Sequence, residues 1–194
     1  MQYIKYKNWY TLTRYKLIKK YRHKYKLMAG LIASVSPQYN IKRNYRIAKN
    51  IYNDYIKDKK TFIYYIKDKD YFIVTYNILP CHYNNILKCI LYDIDGNKNK
   101  LVLNGNKVNN FYNNLIGHQE YITIDTWMLK YFKHTKAWLN KSDYVLYSKY
   151  IIKYTKHINK RHNMRLKYSQ VQAILWIKQR IISGYRPVSF VDYI

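Results

Sequence analysis

Cysteine is almost missing. Cys81 and Cys89 are the only two in 194 residues, too few for a four-thiolate cluster and not spaced as a CxxC pair, so two reduced thiols are expected. The six histidines (His23, His82, His118, His134, His157 and His162) show no HxH or HxxxH spacing, which argues against a metal site. No serine stands in a GxSxG nucleophile elbow. No apolar run approaches the ~20 residues of a membrane span, and the opening MQYIKYKNWY lacks the apolar stretch of a signal peptide. These absences lead us to expect a cytoplasmic protein, in the host cytoplasm if the source is viral, with neither cofactor nor metal. Glycine (5) and proline (3) are scarce and alanine is sparse, so the core must come from Ile, Leu and the 26 tyrosines. Each buried tyrosine hydroxyl then needs a partner or a route to water.

Acidic residues are the other shortage. Against 10 Asp and Glu stand 36 Lys and Arg, a formal net charge of +26. Such a field attracts polyanions. An anionic membrane or an acidic protein would compete, but the basic residues run through the whole chain and form no amphipathic stripe or juxtamembrane cluster. Nucleic acid, with duplex DNA favoured, is therefore the expected partner. Lys, Asn, Ile and Tyr all have AT-rich codons, so a biased genome such as that of a phage, an organelle or a low-GC bacterium explains part of the lysine content. It does not explain the shortage of acids.

A chain of this size buries one good core. Residues 1–26 alternate Tyr, Lys and Arg with apolar residues at helical spacing, as a basic helix or arm would; Trp9, Tyr10 and Tyr15 are candidates for stacking on bases. Residues 27–194 are expected to form a single helical domain. Its first helix, LMAGLIASVSPQYN, should be buried and stop near Ser36-Pro37. Another runs from about Ile41 to Ile56, with Ile41, Tyr45, Ala48, Tyr52 and Tyr55 on one side. TFIYYIKDKDYFIVTYN, 61–77, fits a β-hairpin as well as a helix. A helix starts near Pro80 and precedes a turn at Asp95-Gly96-Asn97, whose DIDGN string lacks calcium-loop spacing. The C-terminal half is helical in texture, with Ser142, Asp143 and Ser169 as candidate N-caps and Gly184 and Pro187 ending the last helix. No internal repeat is found.

One segment, LVLNGNKVNNFYNNLIGHQEYITIDTWMLK (101–130), stands apart. Gly105-Asn106-Lys107 precedes a helix, so backbone N–H groups there are candidates to hold a phosphate, and a plain turn is the alternative. LVLNGNKV followed by IDTW resembles the hairpin and the VDTH motif of helix-hairpin-helix DNA glycosylases of the endonuclease III type. Lys107 and Asp125 are separated by 18 positions, like that family's Schiff-base lysine and catalytic aspartate. VSPQ, 35–38, is similar to the family's LSAQ, and YNNILKCI more loosely to its YNSKAENI helix. The resemblance covers roughly 27–135. Leu103 stands where the first hairpin glycine belongs, Trp127 replaces the motif's histidine, and the optional four-cysteine iron-sulfur loop is absent.

The resemblance implies a mostly α-helical, glycosylase-like fold that excises a damaged or modified base from DNA, with or without strand cleavage. Lys107 would be the nucleophile, made partly neutral by burial or by neighbouring cations, Lys98 and Lys100 being close in sequence. Asp125 would stabilise charge developing on the sugar. Gln38 would fill the gap left by a flipped base. Leu103, Asn104, Gly105, Asn106 and Lys130 would contact the backbone. The residues also admit plainer roles: Asp125 as a helix N-cap, Lys107 as a phosphate contact, Gln38 as a solvated loop residue. A binding protein without chemistry, or an RNA-packaging protein, is the rival.

Overall fold

The computed structural model describes residues 3–96, 98–136 and 139–194. It is organised around one apolar helix. Leu27 to Ser34 are buried without interruption in α2 (Tyr25–Ser34), as expected of a stretch without charge. A Cβ on Gly30 would lie 2.7 Å from Cys89 Sγ, so the missing side chain sets how closely α6 (Pro80–Ile94) approaches. α2 also packs against α1 (Trp9–Tyr21), α3 (Ile41–Lys57) and α7 (Asn106–Ile116). α1 is part of this body and not a detached arm. Its Trp9, Tyr10, Leu17 and Tyr21 are buried, and the Trp9 indole donates to Val188 O at 3.0 Å. Trp9 and Tyr10 are thus core aromatics, whereas Tyr15 is exposed.

A second apolar cluster joins Ile122, Ile124 and Met128 to Ile151, Val171 and Leu175. It lies between α8 (Thr126–Tyr131), α9 (Lys141–His162) and α10 (Tyr168–Ile182). α10 serves both clusters: Ala173 and Ile177 belong to the first, Val171 and Leu175 to the second, and Trp176 touches each.

Three local expectations need correction. No β-hairpin forms at 61–77, which is instead α4 (Lys59–Tyr65) and α5 (Lys69–Tyr76). Asp58 and Asp68 cap these helices by accepting the Thr61 and Tyr71 amides, each at 3.0 Å. Phe62 and Ile66 bury at a spacing of four, and Phe72 is followed at the same spacing by the partly buried Tyr76, which is helical. α9 is capped by Asn140, whose side chain accepts Asp143 N at 2.7 Å, so Ser142 and Asp143 lie within the helix. Ser169 also lies inside its helix, and Lys167 is the N-cap residue. Gly96 adopts the left-handed backbone of the expected turn; Asn97 lies outside the described residues.

Several buried tyrosine hydroxyls find partners. Tyr10 donates to Gln172 at 2.9 Å, Tyr83 to Ile66 O at 2.6 Å and Tyr144 to Ile122 O at 2.8 Å. Asp93 receives both the Lys24 ammonium (2.7 Å) and the Tyr55 hydroxyl (2.9 Å), which compensates a buried carboxylate. Among the described residues no helix is long and apolar enough to cross a membrane.

Candidate functional site

The loop between α2 and α3 is held from several sides. The Lys107 amine donates to Ser36 O at 3.2 Å. His82 accepts the Leu79 amide on Nδ1, so its Nε2–H donates to Pro37 O at 3.0 Å. Burial lowers the His82 pKa, which favours this neutral tautomer. The Tyr39 hydroxyl donates to Asn77 O at 3.0 Å, and the Arg43 guanidinium lies 4.0 Å from the Tyr39 ring centre. Between these anchors Gln38 is exposed with φ of 62°, a left-handed conformation that a non-glycine residue adopts at a cost.

The second approach to the site is the 101–105 loop. Leu103 is buried and its amide donates to Asn109 Oδ1 at 3.1 Å; the Asn104 amide donates to Asn85 Oδ1 at 2.6 Å. Leu103 and Asn104 therefore drop out as backbone anion donors, because side chains already use their N–H groups. The Asn104 side chain accepts the Lys88 ammonium at 2.6 Å. Gly105, with φ of 84°, is the N-cap residue of α7, and no side chain caps that helix. The first amides of α7, from Asn106 onward, thus keep unsatisfied donors.

Lys107, Asp125 and Gln38 line one cleft of about 680 Å³ between the two apolar clusters. Trp9, Phe111, Trp127, Trp176, Tyr185 and Phe190 form its aromatic walls. Burial lowers the pKa of the Lys107 amine, and the Asp125 charge offsets this in part. Lys98 and Lys100 make no contribution; the Lys100 amine donates to Tyr121 OH at 3.3 Å. Asp125 caps α8: Oδ1 accepts the Trp127 and Met128 amides, both at 3.0 Å. Its Oδ2 accepts the Trp176 indole N–H at 2.7 Å. A carboxylate offers about four lone-pair positions, so one remains for a ligand.

Residues 2–183 match a family of unknown function, DUF7178. The chain belongs to that family. No curated protein and no solved structure matches it. The family match takes in Lys107, Asp125, Trp176 and Arg180 and stops short of Tyr185 and Phe190.

Sequence reasoning missed the contribution of α10. Gln172, Trp176 and Arg180 recur at a spacing of four, which places them on one helical stripe facing the cleft. The Arg180 guanidinium lies 4.8 Å from the Trp127 ring centre, 5.0 Å from Trp176 and 5.5 Å from Tyr185. Lys130 is exposed, with its ammonium 4.5 Å from the Trp127 ring centre. Among the described residues no group of three or more His, Cys, Asp or Glu gathers where it would hold a metal.

Proposed function

We propose that this chain excises a base from DNA, with Lys107 and Asp125 as the reacting pair. The observation that carries the reading is their meeting in one aromatic cleft beneath the strained Gln38 loop, although Gln38, Lys107 and Asp125 are far apart in sequence. An enzyme acting on a base must take it out of the stack and offer it stacking surfaces. Gln38 would fill the vacated position in the duplex, and the indoles would receive the base. The buried amine, more often neutral than an ordinary lysine, attacks C1′ while the bonding electrons leave with the base, which takes up a proton. The Lys107 N–C1′ bond becomes an imine as the C1′–O4′ bond breaks, O4′ taking the amine's second proton and the departing base the first. Loss of the C2′ proton and of the 3′ phosphate breaks the strand. Asp125, oriented by three N–H donors, stabilises the positive charge developing on the sugar. The uncapped α7 terminus at Gly105 and Asn106, with Lys130, would hold backbone phosphates, and the net charge of +26 supplies the general attraction.

A second reading, a binding module on the same scaffold, draws on the buried Leu103 and on the structural bonds that Asp125 already makes. Borohydride trapping on a labelled duplex with one abasic site separates the two. An adduct in the wild type that disappears in Lys107→Ala supports the imine. Tight, salt-sensitive binding, with no adduct and no excision from any damaged duplex, would leave the binding module. The rate of adduct formation should rise with pH and level off below the pH at which an ordinary lysine deprotonates, because burial lowers the amine's pKa.

A further inference from the structure

Buried polar atoms without partners are few in folded proteins, and each asks for an explanation. Seven side-chain atoms of this kind are found among the described residues, and three of them, Ser36 Oγ, Asn44 Oδ1 and Arg180 Nε, belong to residues lining the cleft. Asn44 is only 2% exposed and Ser36 9%. Leaving them unpaired opposes folding, so a group that binds there gains bonds that the empty protein lacks.

Gln172 adds a donor of fixed orientation. The Asn114 amide donates to Thr123 Oγ1 at 3.2 Å behind the buried Tyr10 ring. The Tyr10 hydroxyl donates to Gln172 Oε1 at 2.9 Å. With its carbonyl taken, Gln172 has its amide nitrogen left for the cleft it lines. The floor thus presents an acceptor on Asn44, a hydroxyl on Ser36 and a donor on Gln172. A nucleobase edge, with its N–H and carbonyl or ring-nitrogen groups, complements this set.

The walls decide the charge of that base. Electron-rich rings alone would welcome a cation. Here Arg180 already lies over Trp127, Trp176 and Tyr185, and Lys130 over Trp127, with Lys107 in the same cleft. Asp125 is the one carboxylate among the lining residues. A base carrying a positive charge would add a further cation to this group in a site of reduced dielectric.

We propose that the cleft floor is a base-reading subsite for a neutral nucleobase, in which Asn44 Oδ1 accepts an N–H of the base edge and Gln172 donates to its acceptor, and that bases alkylated to cations are rejected. This deepens the excision reading and rests on it. The test is fluorescence anisotropy on duplexes of one sequence that differ at a single site. The site carries an intact base pair, a tetrahydrofuran abasic analogue, uracil, hypoxanthine, 8-oxoguanine or 7-methylguanine, with 2′-fluoro sugars to block excision. In the wild type at least one neutral base binds about tenfold tighter than the abasic analogue, the worth of one or two hydrogen bonds. Asn44→Ala removes that gain and leaves abasic affinity within about twofold, while its melting temperature holds or rises because an unpaired acceptor has been deleted. Tightest binding of 7-methylguanine, or no neutral base bound above the abasic analogue, would overturn the proposal. So would a parallel loss of abasic affinity and melting temperature in Asn44→Ala, which would mark a structural residue. Failure of the excision reading looks different: the wild type would then bind the abasic analogue no tighter than the intact duplex.

Discussion

Asp125→Asn isolates what the carboxylate does for the fold from what it does for a ligand. Asparagine caps a helix as well as aspartate does, so Oδ1 keeps the Trp127 and Met128 amides at 3.0 Å. The other oxygen becomes an NH2 group facing the Trp176 indole N–H across 2.7 Å, donor against donor. A hydrogen bond to a charged group contributes about 1.5–3 kcal/mol, and an unpaired buried donor costs a similar amount. For a chain of this length each kcal/mol moves the melting temperature by about 2–4 °C, so Asp125→Asn should melt roughly 3–12 °C below wild type. Trp176→Phe removes the opposing donor. Alone it leaves Oδ2 short of a bond; combined with Asp125→Asn it relieves the clash. The double variant should therefore be more stable than the sum of the singles by about 1.5–3 kcal/mol. Urea denaturation of the four proteins, followed by circular dichroism, measures this coupling. Additivity within about 0.5 kcal/mol would show that Trp176 does not hold the carboxylate.

Two further predictions concern the cores on either side of the cleft. Burial pushes the Tyr144 phenol up to about 12, whereas an unfolded tyrosine ionises near 10. The unfolded chain thus loses this proton first, so the contribution of Tyr144, on the order of 3 kcal/mol, is complete below about pH 10 and is lost as pH rises toward 12. Urea midpoints should fall across that interval, with tyrosinate absorbance from Tyr144 growing in step with unfolding; a flat midpoint would refute the linkage. Gly30→Ala would drive a methyl group to 2.7 Å from Cys89 Sγ and 3.3 Å from Leu101 Cδ2. Overpacking of about 1–3 kcal/mol, offset by up to ~1 kcal/mol of helix propensity, should lower the melting temperature, and Cys89→Ala in the same chain should restore part of it. Unchanged stability of Gly30→Ala would contradict the tight α2–α6 approach.

Helical periodicity carried most of the architecture. The uncharged LMAGLIAS stretch is the central helix, and the Ile41–Ile56 pattern places Tyr45, Ala48 and Tyr55 in the core, with Ile41 and Tyr52 packed against it. Residues 61–77 were ambiguous because β-branched and aromatic side chains suit strands. Asp58 and Asp68, each three residues before the amide it accepts, are the decisive local signal for two short helices. The pairing of Lys107 with Asp125 was legible only through their separation in a motif. The unpaired acceptor of Asn44 and the occupied amides of Leu103 and Asn104 were not, since each depends on neighbours remote in sequence.

α10 shows why the site exceeds its motif. Val171 and Leu175 look toward the second cluster and Ala173 and Ile177 toward the first, so an apolar pattern accounts for the helix without reference to function. The remaining stripe, Gln172, Trp176 and Arg180, then falls on the gap between the clusters as a consequence of helical geometry. Trp176 fixes Asp125, Arg180 places a cation over the aromatic walls, and Gln172 accepts the buried Tyr10 hydroxyl. The helix that joins the two cores is therefore also the one that orients the carboxylate and sets the charge of the cleft. Arg180 substitutions should alter ligand choice more than stability, whereas Trp176 and Gln172 also carry the fold, the first bonded to the N-cap of α8 and the second to the buried Tyr10 hydroxyl.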